Sequence, residues 1–126
     1  MFVINDDKSI YLTRGDIATV KVSAKDGKGS DYLFKVGDVV RFKAFEKKDC
    51  GCVVLQKDTT IEEETATVQI SLDKQETKIG ELISKPKDYW YEIELNPETA
   101  PQTIIGYDED GAKILRLYPE GSDANE

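Results

Sequence analysis

Apolar and polar residues alternate with a period of two along most of the chain, and this alternation predicts β-strands rather than helices. In residues 89–95, every second side chain is a tyrosine, isoleucine or leucine, and the side chains between them are tryptophan and glutamate. Such a segment has one apolar and one polar face when it is extended. The pattern predicts strands in the following segments: 9–13, 18–24, 32–35, 39–45, 52–57, 67–72, 89–95, 102–107 and 112–118.

Short clusters rich in glycine, aspartate and lysine separate the predicted strands. The clearest is 25–31, whose glycines allow positive φ and whose aspartates can close side-chain turns. The Asp-Gly step within 108–111 predicts a hairpin between the last two strands. Further turns or loops are predicted at 14–16, 47–51, 58–60, 73–76 and 96–101.

One segment, 78–84, has helical spacing. Ile79, Leu82 and Ile83 stand at positions i, i+3 and i+4, and a nearby glycine and proline limit a helix there to about two turns. We therefore predict an all-β fold with about eight to ten short antiparallel strands and at most one short helix. It forms a single β-sandwich domain over residues 1–118, followed by an acidic flexible tail at 119–126.

The overall charge argues against two classes of partner. The 126-residue chain has a net charge of −8, and its basic residues are scattered, so we predict no binding to nucleic acid. No apolar run approaches the roughly 20 residues that span a membrane. The first residues also lack the basic segment and apolar stretch of a signal peptide. The expected location is the cytoplasm, or a particle assembled there.

The chain contains no histidine. Ser-His and Cys-His catalytic pairs and His-metal sites are therefore excluded, and the commonest general base near neutral pH is missing. The sequence also lacks a phosphate-binding loop, a dinucleotide fingerprint and a nucleophile elbow. We predict a non-enzymatic protein with no cofactor and no metal.

Cys50 and Cys52 could face one metal if they lay on a strand, because residues i and i+2 share a face. A structural zinc site takes about four ligands, and this chain offers two sulfurs and no imidazole. We interpret the pair as small residues at the edge of a turn, and the sequence leaves a redox or metal role open.

Two further motifs have simple structural interpretations. Arg14-Gly15-Asp16 spells the integrin tripeptide, but it lies between two predicted strands, where a turn requires glycine and aspartate. Acidic clusters at 6–7, 62–64 and 108–110 could offer oxygen ligands to calcium, but none has the spacing of an EF-hand loop. We interpret these clusters as solvated turns and charged strand edges.

Trp90 shares one face of its predicted strand with Glu92 and Glu94. A register shift of one residue exchanges the two faces, so the sequence leaves open whether Trp90 or the tyrosines are buried. If Trp90 lies outside, Trp90, Glu92 and Glu94 form a candidate interface with a partner. The two glutamates could also serve a small glycoside hydrolase, although one strand makes no cleft and no activated group is visible.

Several segments together resemble small tail proteins of phages and prophages from Gram-positive bacteria, in particular the N-terminal domain of the upper baseplate protein family. The opening Ile10-Tyr11-Leu12-Thr13-Arg14-Gly15-Asp16-Ile17-Ala18 resembles that family's strand, Gly-Asp pair and alternating strand. The likeness covers about residues 8–96. Its other parts are residues 20–24, 26–29, 39–45, Leu72, the polar loop with Thr77, and residues 89–95.

The resemblance implies an immunoglobulin-like sandwich and a structural role in the virion, with no enzyme activity and no cofactor. It implies docking to other phage tail proteins or to itself as a homo-oligomer. The family's long C-terminal extension, which carries receptor-binding parts, has no counterpart here, so we expect a tail or baseplate adaptor or a decorating domain. The alternative is a carbohydrate- or cell-wall-binding module that uses Trp90 and nearby tyrosines as a stacking platform.

Overall fold

The computed structural model describes residues 1–26, 28–47, 52–108 and 111–120. These residues form β-strands and no helix, so the all-β prediction is confirmed. The strands are β1 Phe2–Ile4, β2 Ile10–Thr13, β3 Ala18–Val22, β4 Val39–Phe45, β5 Val53–Thr60, β6 Val68–Leu72, β7 Lys87–Leu95, β8 Gln102–Ile105 and β9 Lys113–Tyr118.

The strands form two sheets. The large sheet has the order β1-β2-β9-β7-β4-β5, and β8 also pairs with β7; the small sheet consists of β3 and β6. Their pairings are antiparallel except for β2 and β9, which run parallel with Ile10 opposite Leu115. The prediction of purely antiparallel strands is wrong at this place, because alternation within a strand does not encode the direction of its neighbour.

The core lies between the inner faces of the two sheets. Alternate apolar side chains of β3 and β6 are buried against those of β4, β7 and β9. The ring of Phe42 stacks on Tyr91 with the centroids 5.4 Å apart. Tyr89 and Tyr91 are 2% and 4% exposed, so the tyrosine face of β7 is the buried one, and Trp90 lies on the opposite face.

The segment around Phe34 is a loop that inserts one ring into the core, and the prediction of a strand at 32–35 is wrong. Phe34 is completely buried. Its amide donates to the Thr65 carbonyl at 2.8 Å, and the Thr65 amide donates back at 3.1 Å. The Asp38 carboxylate accepts from the Tyr32 hydroxyl at 2.9 Å and from the Lys35 amide at 3.0 Å. The two bonds to Asp38 are local and turn the backbone, so Phe34 pairs with Thr65 only as an isolated bridge and not within a strand.

Residues 78–84 do not form the predicted helix. Ile79 is buried whereas Leu82 is 55% exposed, so the apolar residues do not share one face. Gly80 has a φ of 67°, in the left-handed region. The buried Arg14 side chain donates to the carbonyls of Ile79 and Gly80 at 3.3 and 3.0 Å. A distant guanidinium therefore binds carbonyl groups that a helix would pair with its own amides.

Two strands also differ from the predictions: β5 is longer than predicted, and β1 is an additional strand. β5 continues to Thr60 through the predicted turn at 58–60, because Asp58 stands opposite Arg41 and forms an ion pair with it. β1 was not predicted, since its three residues are too few to show alternation.

The last two strands do not pair with each other as a hairpin. β8 pairs with the last residues of β7, and β9 pairs with the first residues of the same strand. At the predicted turn, Asp108 and Gly111 form an isolated antiparallel bridge. Residues 109–110 lie outside the described part of the chain. Residues 121–126 of the predicted tail also lie outside it. The immunoglobulin-like connectivity stays a prediction.

Candidate protein interface

The outer face of the large sheet carries Trp90, Glu92 and Glu94. Their neighbours on β7 point into the core, so all three side chains lie on the solvent side of the sheet and are partly exposed. The structure therefore brings the three predicted residues together on one surface. Their role as an interface stays a prediction, and the structure adds partners from β4, β5 and β9.

An apolar row crosses four strands of this outer face. Phe45 on β4 stands opposite both Val53 on β5 and Trp90 on β7, and Trp90 stands opposite Ile114 on β9. Directly opposite residues on one face have Cβ atoms about 5 Å apart, so neighbouring members of the row can touch. Val53 is 44% exposed, and the other three side chains are partly exposed. We call these four residues the apolar row.

Pairs of opposite charge adjoin the apolar row on β4 and β7. Lys43 stands opposite Glu92, and Arg41 stands opposite Glu94. The Lys43 ammonium lies 3.5 Å from the Glu92 carboxylate and 3.0 Å from Glu94 Oε1. Glu94 Oε1 is buried and has no aligned hydrogen-bond donor, so its attraction to Lys43 is Coulombic. We call the following three cross-strand pairs the outer ladder: Arg41–Glu94, Lys43–Glu92 and Phe45–Trp90.

Two carboxylates hold Arg41 in place. Its Nε donates to Asp58 Oδ1 at 2.8 Å, and its Nη2 donates to Asp58 Oδ2 at 3.0 Å and to Glu98 Oε1 at 3.1 Å. These charge-assisted hydrogen bonds raise the pKa of Arg41 and lower the pKa of Asp58. The cationic end of the outer ladder is therefore fixed in position and in charge.

A cluster of aromatic and charged side chains lies on the other side of the apolar row. Tyr11 on β2 meets Tyr118 on β9 edge-on, with ring centroids 5.8 Å apart. The Arg116 guanidinium lies 5.3 Å from the centre of the Tyr11 ring, and its Nε donates to Asp88 Oδ1 at 2.7 Å. Sequence reasoning missed this cluster, because only the parallel pairing of β2 with β9 brings its members together.

The edge strand β5 carries a feature that disfavours pairing with another strand. Lys57 stands opposite the buried Phe42, so it points toward the core side of the sheet. Its ammonium lies 3.1 Å from a carboxylate oxygen of Glu76, in the loop that follows β6. Inward-pointing charges on edge strands oppose edge-to-edge association. The outer face is therefore a better candidate interface than this edge.

Acid is expected to destabilise the fold through Asp38 and Asp58. Burial acts to raise the pKa of Asp38, but hydrogen bonds from the Lys35 amide, Asn96 and Tyr32 outweigh it and lower the pKa. A carboxyl whose pKa is lower in the folded state contributes stability above its ordinary pKa of 3.8, and the contribution is lost as pH falls through the folded value.

We therefore expect the free energy of unfolding in urea to fall as the pH is lowered below about 5. Asp38→Asn and Asp58→Asn should each show a shallower fall than the parent, because each removes one of the titrating groups. Glu62→Gln, at an exposed position, is the matched control and should follow the parent curve. Equal slopes in all four proteins would contradict this assignment.

The Arg14-Gly15-Asp16 tripeptide is a partly buried turn, as its composition predicts. The Arg14 side chain is only 7% exposed. Gly15 has a φ of 89°, and its amide donates to the buried Thr77 hydroxyl at 3.1 Å. Asp16 accepts from the N-terminal ammonium of Met1. The turn is therefore held from several sides and does not present the arginine to a receptor.

The cysteine pair lies partly outside the described residues. Cys52 takes part in a disulfide, while Cys50 belongs to the segment that is not described. A disulfide sulfur is not a thiolate, so Cys52 is not a zinc ligand in this state. Within the described ranges, no group of three or more Cys, Asp or Glu side chains could hold a metal ion.

The outer face is a surface rather than a cleft. Trp90, Glu92 and Glu94 line none of the five principal cavities that the described residues form. The largest of these, about 570 Å³, opens beside the end of β3 and is lined in part by Tyr32, Leu95 and Ile104. The site geometry therefore suits a broad contact better than the enclosure of a small ligand.

The chain matches no protein-family model, no curated protein and no solved structure. None of the described residues form a helix that is long and apolar enough to cross a membrane. A function must therefore be inferred from the residues of this chain and from their arrangement.

Proposed function

We propose that this chain is a non-enzymatic structural protein of a phage or prophage particle, and that it acts through protein–protein contacts on the outer face. It serves as an adaptor or decorating domain of the tail or baseplate, assembled in the bacterial cytoplasm and present in the virion. The apolar row is the observation that supports a binding role most directly. The particle assignment and the immunoglobulin-like form of the sandwich rest on the resemblance to the upper baseplate protein N-terminal domain.

The composition of the outer face is that of a protein interface. An apolar centre surrounded by polar and charged groups is the usual arrangement, and aromatic residues and arginine are enriched in it. Trp90 stands at the middle of the apolar row, where tryptophan most often contributes a large share of binding energy. The ion pairs of Lys43 and Arg41 lie beside it and can fix the orientation of a partner.

The particle role is tested by inducing the prophage in a strain that encodes this chain. We expect the protein to appear in purified particles by mass spectrometry and by immunogold electron microscopy. Trp90→Ala should lower its incorporation at least about tenfold, since an interfacial tryptophan contributes about 2 kcal/mol or more. Ile17→Ala, at an apolar position that is 71% exposed and directly precedes β3 of the small sheet, should be incorporated normally.

The absence of the protein from purified particles would refute the particle role. Normal incorporation of Trp90→Ala would refute the assignment of the outer face. Circular dichroism of the two variants separates a loss of binding from a loss of folding.

The geometry gives the carbohydrate-binding alternative no specific support. Glu92 and Glu94 both lie in ion pairs with Lys43, which competes with sugar hydroxyls for their oxygens. No principal cavity of the described residues is lined by Trp90. Binding on a glycan array that is lost in Trp90→Ala would favour the alternative over our proposal.

A further inference from the structure

We infer that the outer face binds a second copy of this chain, in a face-to-face dimer whose twofold axis runs parallel to the strands and midway between β4 and β7. This inference rests on the proposed function in taking the outer face as an interface, and it deepens that function by naming the partner. It follows from the order of charges in the outer ladder.

The outer ladder is self-complementary under this symmetry. A twofold rotation about the stated axis carries β4 of one copy over β7 of the other and keeps each residue at its level along the strands. Lys43 then faces Glu92 of the second copy, and Arg41 faces Glu94 of the second copy, because these residues stand at the same levels in the register. Each contact occurs twice in the dimer, as an isologous interface requires.

The apolar row is self-complementary under the same rotation. Phe45 of one copy faces Trp90 of the other, and β5, which lies beyond β4, is carried over β9, which lies beyond β7. Val53 therefore faces Ile114 of the second copy, because Val53 is level with Phe45 and Ile114 is level with Trp90. Two sheets packed in this way lie about 10 Å apart with their strands within about 30° of each other.

The other face-to-face arrangement that superposes the apolar rows is unfavourable. If the twofold axis ran along the apolar row, each strand would lie over its own copy in the opposite direction. Asp88, two residues before Trp90, would then face Glu92 of the second copy, two residues after it. Like charges in direct opposition at an interface are repulsive. The charge order on β7 therefore selects the axis that is parallel to the strands.

The balance of charge also favours a second copy at this face. The chain as a whole carries a net charge of −8, so two copies repel each other over most of their surfaces. On the outer face, by comparison, the numbers of positive and negative side chains are nearly equal. Its charged strand residues are Arg41, Lys43 and Arg116 against Asp58, Asp88, Glu92 and Glu94.

Charge reversal tests the dimer, with sedimentation velocity of the purified full chain as the measurement. We expect concentration-dependent dimerisation of the wild type between about 1 μM and 1 mM, the range in which modest interfaces associate. Lys43→Glu and Glu92→Lys should each weaken dimerisation about tenfold or more, because each places like charges opposite one another twice. An equimolar mixture of the two variants should dimerise like the wild type, since both contacts between unlike chains become attractive.

The double variant Lys43→Glu/Glu92→Lys gives the sharpest result. It keeps the net charge and an ion pair between positions 43 and 92, in reversed order, while the contact of position 43 with Glu94 becomes repulsive. Circular dichroism checks that it folds like the wild type. It should dimerise with itself and should not associate with the wild type. Lys21→Glu, an exposed substitution on the small sheet with the same change of charge as Lys43→Glu, should leave dimerisation unchanged.

The possible results separate this inference from the proposed function. The dimer would be overturned if the wild type stays monomeric at about 1 mM. It would also be overturned if the double variant associates with the wild type as tightly as it associates with itself. If the chain is monomeric while Trp90→Ala is still lost from particles, the outer face serves another partner and the proposed function stands. If the charge-reversible dimer forms but the protein is absent from particles, the dimer stands and the particle role fails.

Discussion

Replacing Phe34 by alanine is expected to lower the free energy of unfolding by about 3–5 kcal/mol. The ring is completely buried although it belongs to no strand, and Tyr32 packs edge-on against it with the centroids 5.1 Å apart. The loop around it is tied to Thr65 by two backbone hydrogen bonds, so it cannot easily move to fill the cavity that alanine would leave. A domain of this size has a total stability of about 5–15 kcal/mol, so the loss is a large share of the free energy of unfolding.

Urea unfolding followed by tryptophan fluorescence and circular dichroism measures this loss. Val36→Ala is the matched control, because Val36 lies in the same loop and is 71% exposed. Its stability should stay within about 0.5 kcal/mol of the parent. A comparable small change for Phe34→Ala would show that the loop is not part of the core.

Replacing Arg14 by methionine is expected to cost about 2–4 kcal/mol. Methionine retains much of the side-chain volume, but it removes the donors that reach the carbonyls of Ile79 and Gly80. A buried acceptor without a donor is destabilising by about 1–3 kcal/mol, and the Arg14 bond to Ile79 is buried whereas the bond to Gly80 is partly buried. Gly80 also lies close to the core residue Tyr89: a Cβ atom at position 80 would come within 2.7 Å of the Tyr89 hydroxyl. The loop therefore has little room to find new hydrogen-bond partners.

Arg14→Lys distinguishes hydrogen-bond geometry from charge in this site. A lysine keeps the positive charge but lacks the planar fork that reaches two carbonyls, so most of the loss should remain. Lys21→Met, an equal loss of charge on an exposed strand position, should change the stability by no more than about 0.5 kcal/mol. Thermal and urea unfolding give the comparison, and a full recovery in Arg14→Lys would show that charge alone is responsible.

The elements that could be predicted from the sequence are those whose signal is local. β4 and β6 show strict alternation, and the structure buries one alternate set of side chains on each: Val40, Phe42 and Ala44 on β4, and Val68, Ile70 and Leu72 on β6. The same is true of β7, once the choice between Trp90 and the tyrosines is made by packing. A period of two depends only on a strand having one buried face, so it can be recognised without knowing the neighbouring strands.

The elements that were predicted wrongly depend on partners that are distant in the chain. Residues 78–84 have the spacing of a short helix, but Arg14 binds their carbonyls from another part of the fold. The last two strands have a good hairpin turn, yet both find their partner in β7. In each case tertiary contacts outweigh a local preference worth at most about 1 kcal/mol per residue.

Only the part of the candidate site that lies on β7 could be predicted from the sequence. Trp90, Glu92 and Glu94 follow from alternation in one segment, whereas Phe45 and Lys43 belong to the site because β4 lies beside β7 in one register. The order of strands in a sheet is not encoded in the period of any one of them. The charge order of the outer ladder, on which the proposed dimer depends, therefore becomes visible only in the folded molecule.

The parallel pairing of β2 with β9 also determines when the molecule can be completed during synthesis. Ile10 stands opposite Leu115, so the centre of the large sheet cannot close until nearly the whole described chain has been made. At about 5–20 residues per second, β2 waits on the order of 5–20 seconds for its neighbour. During that time its unpaired edge is open to other nascent chains. Yield of the folded protein should therefore respond strongly to chaperones and to lower growth temperature.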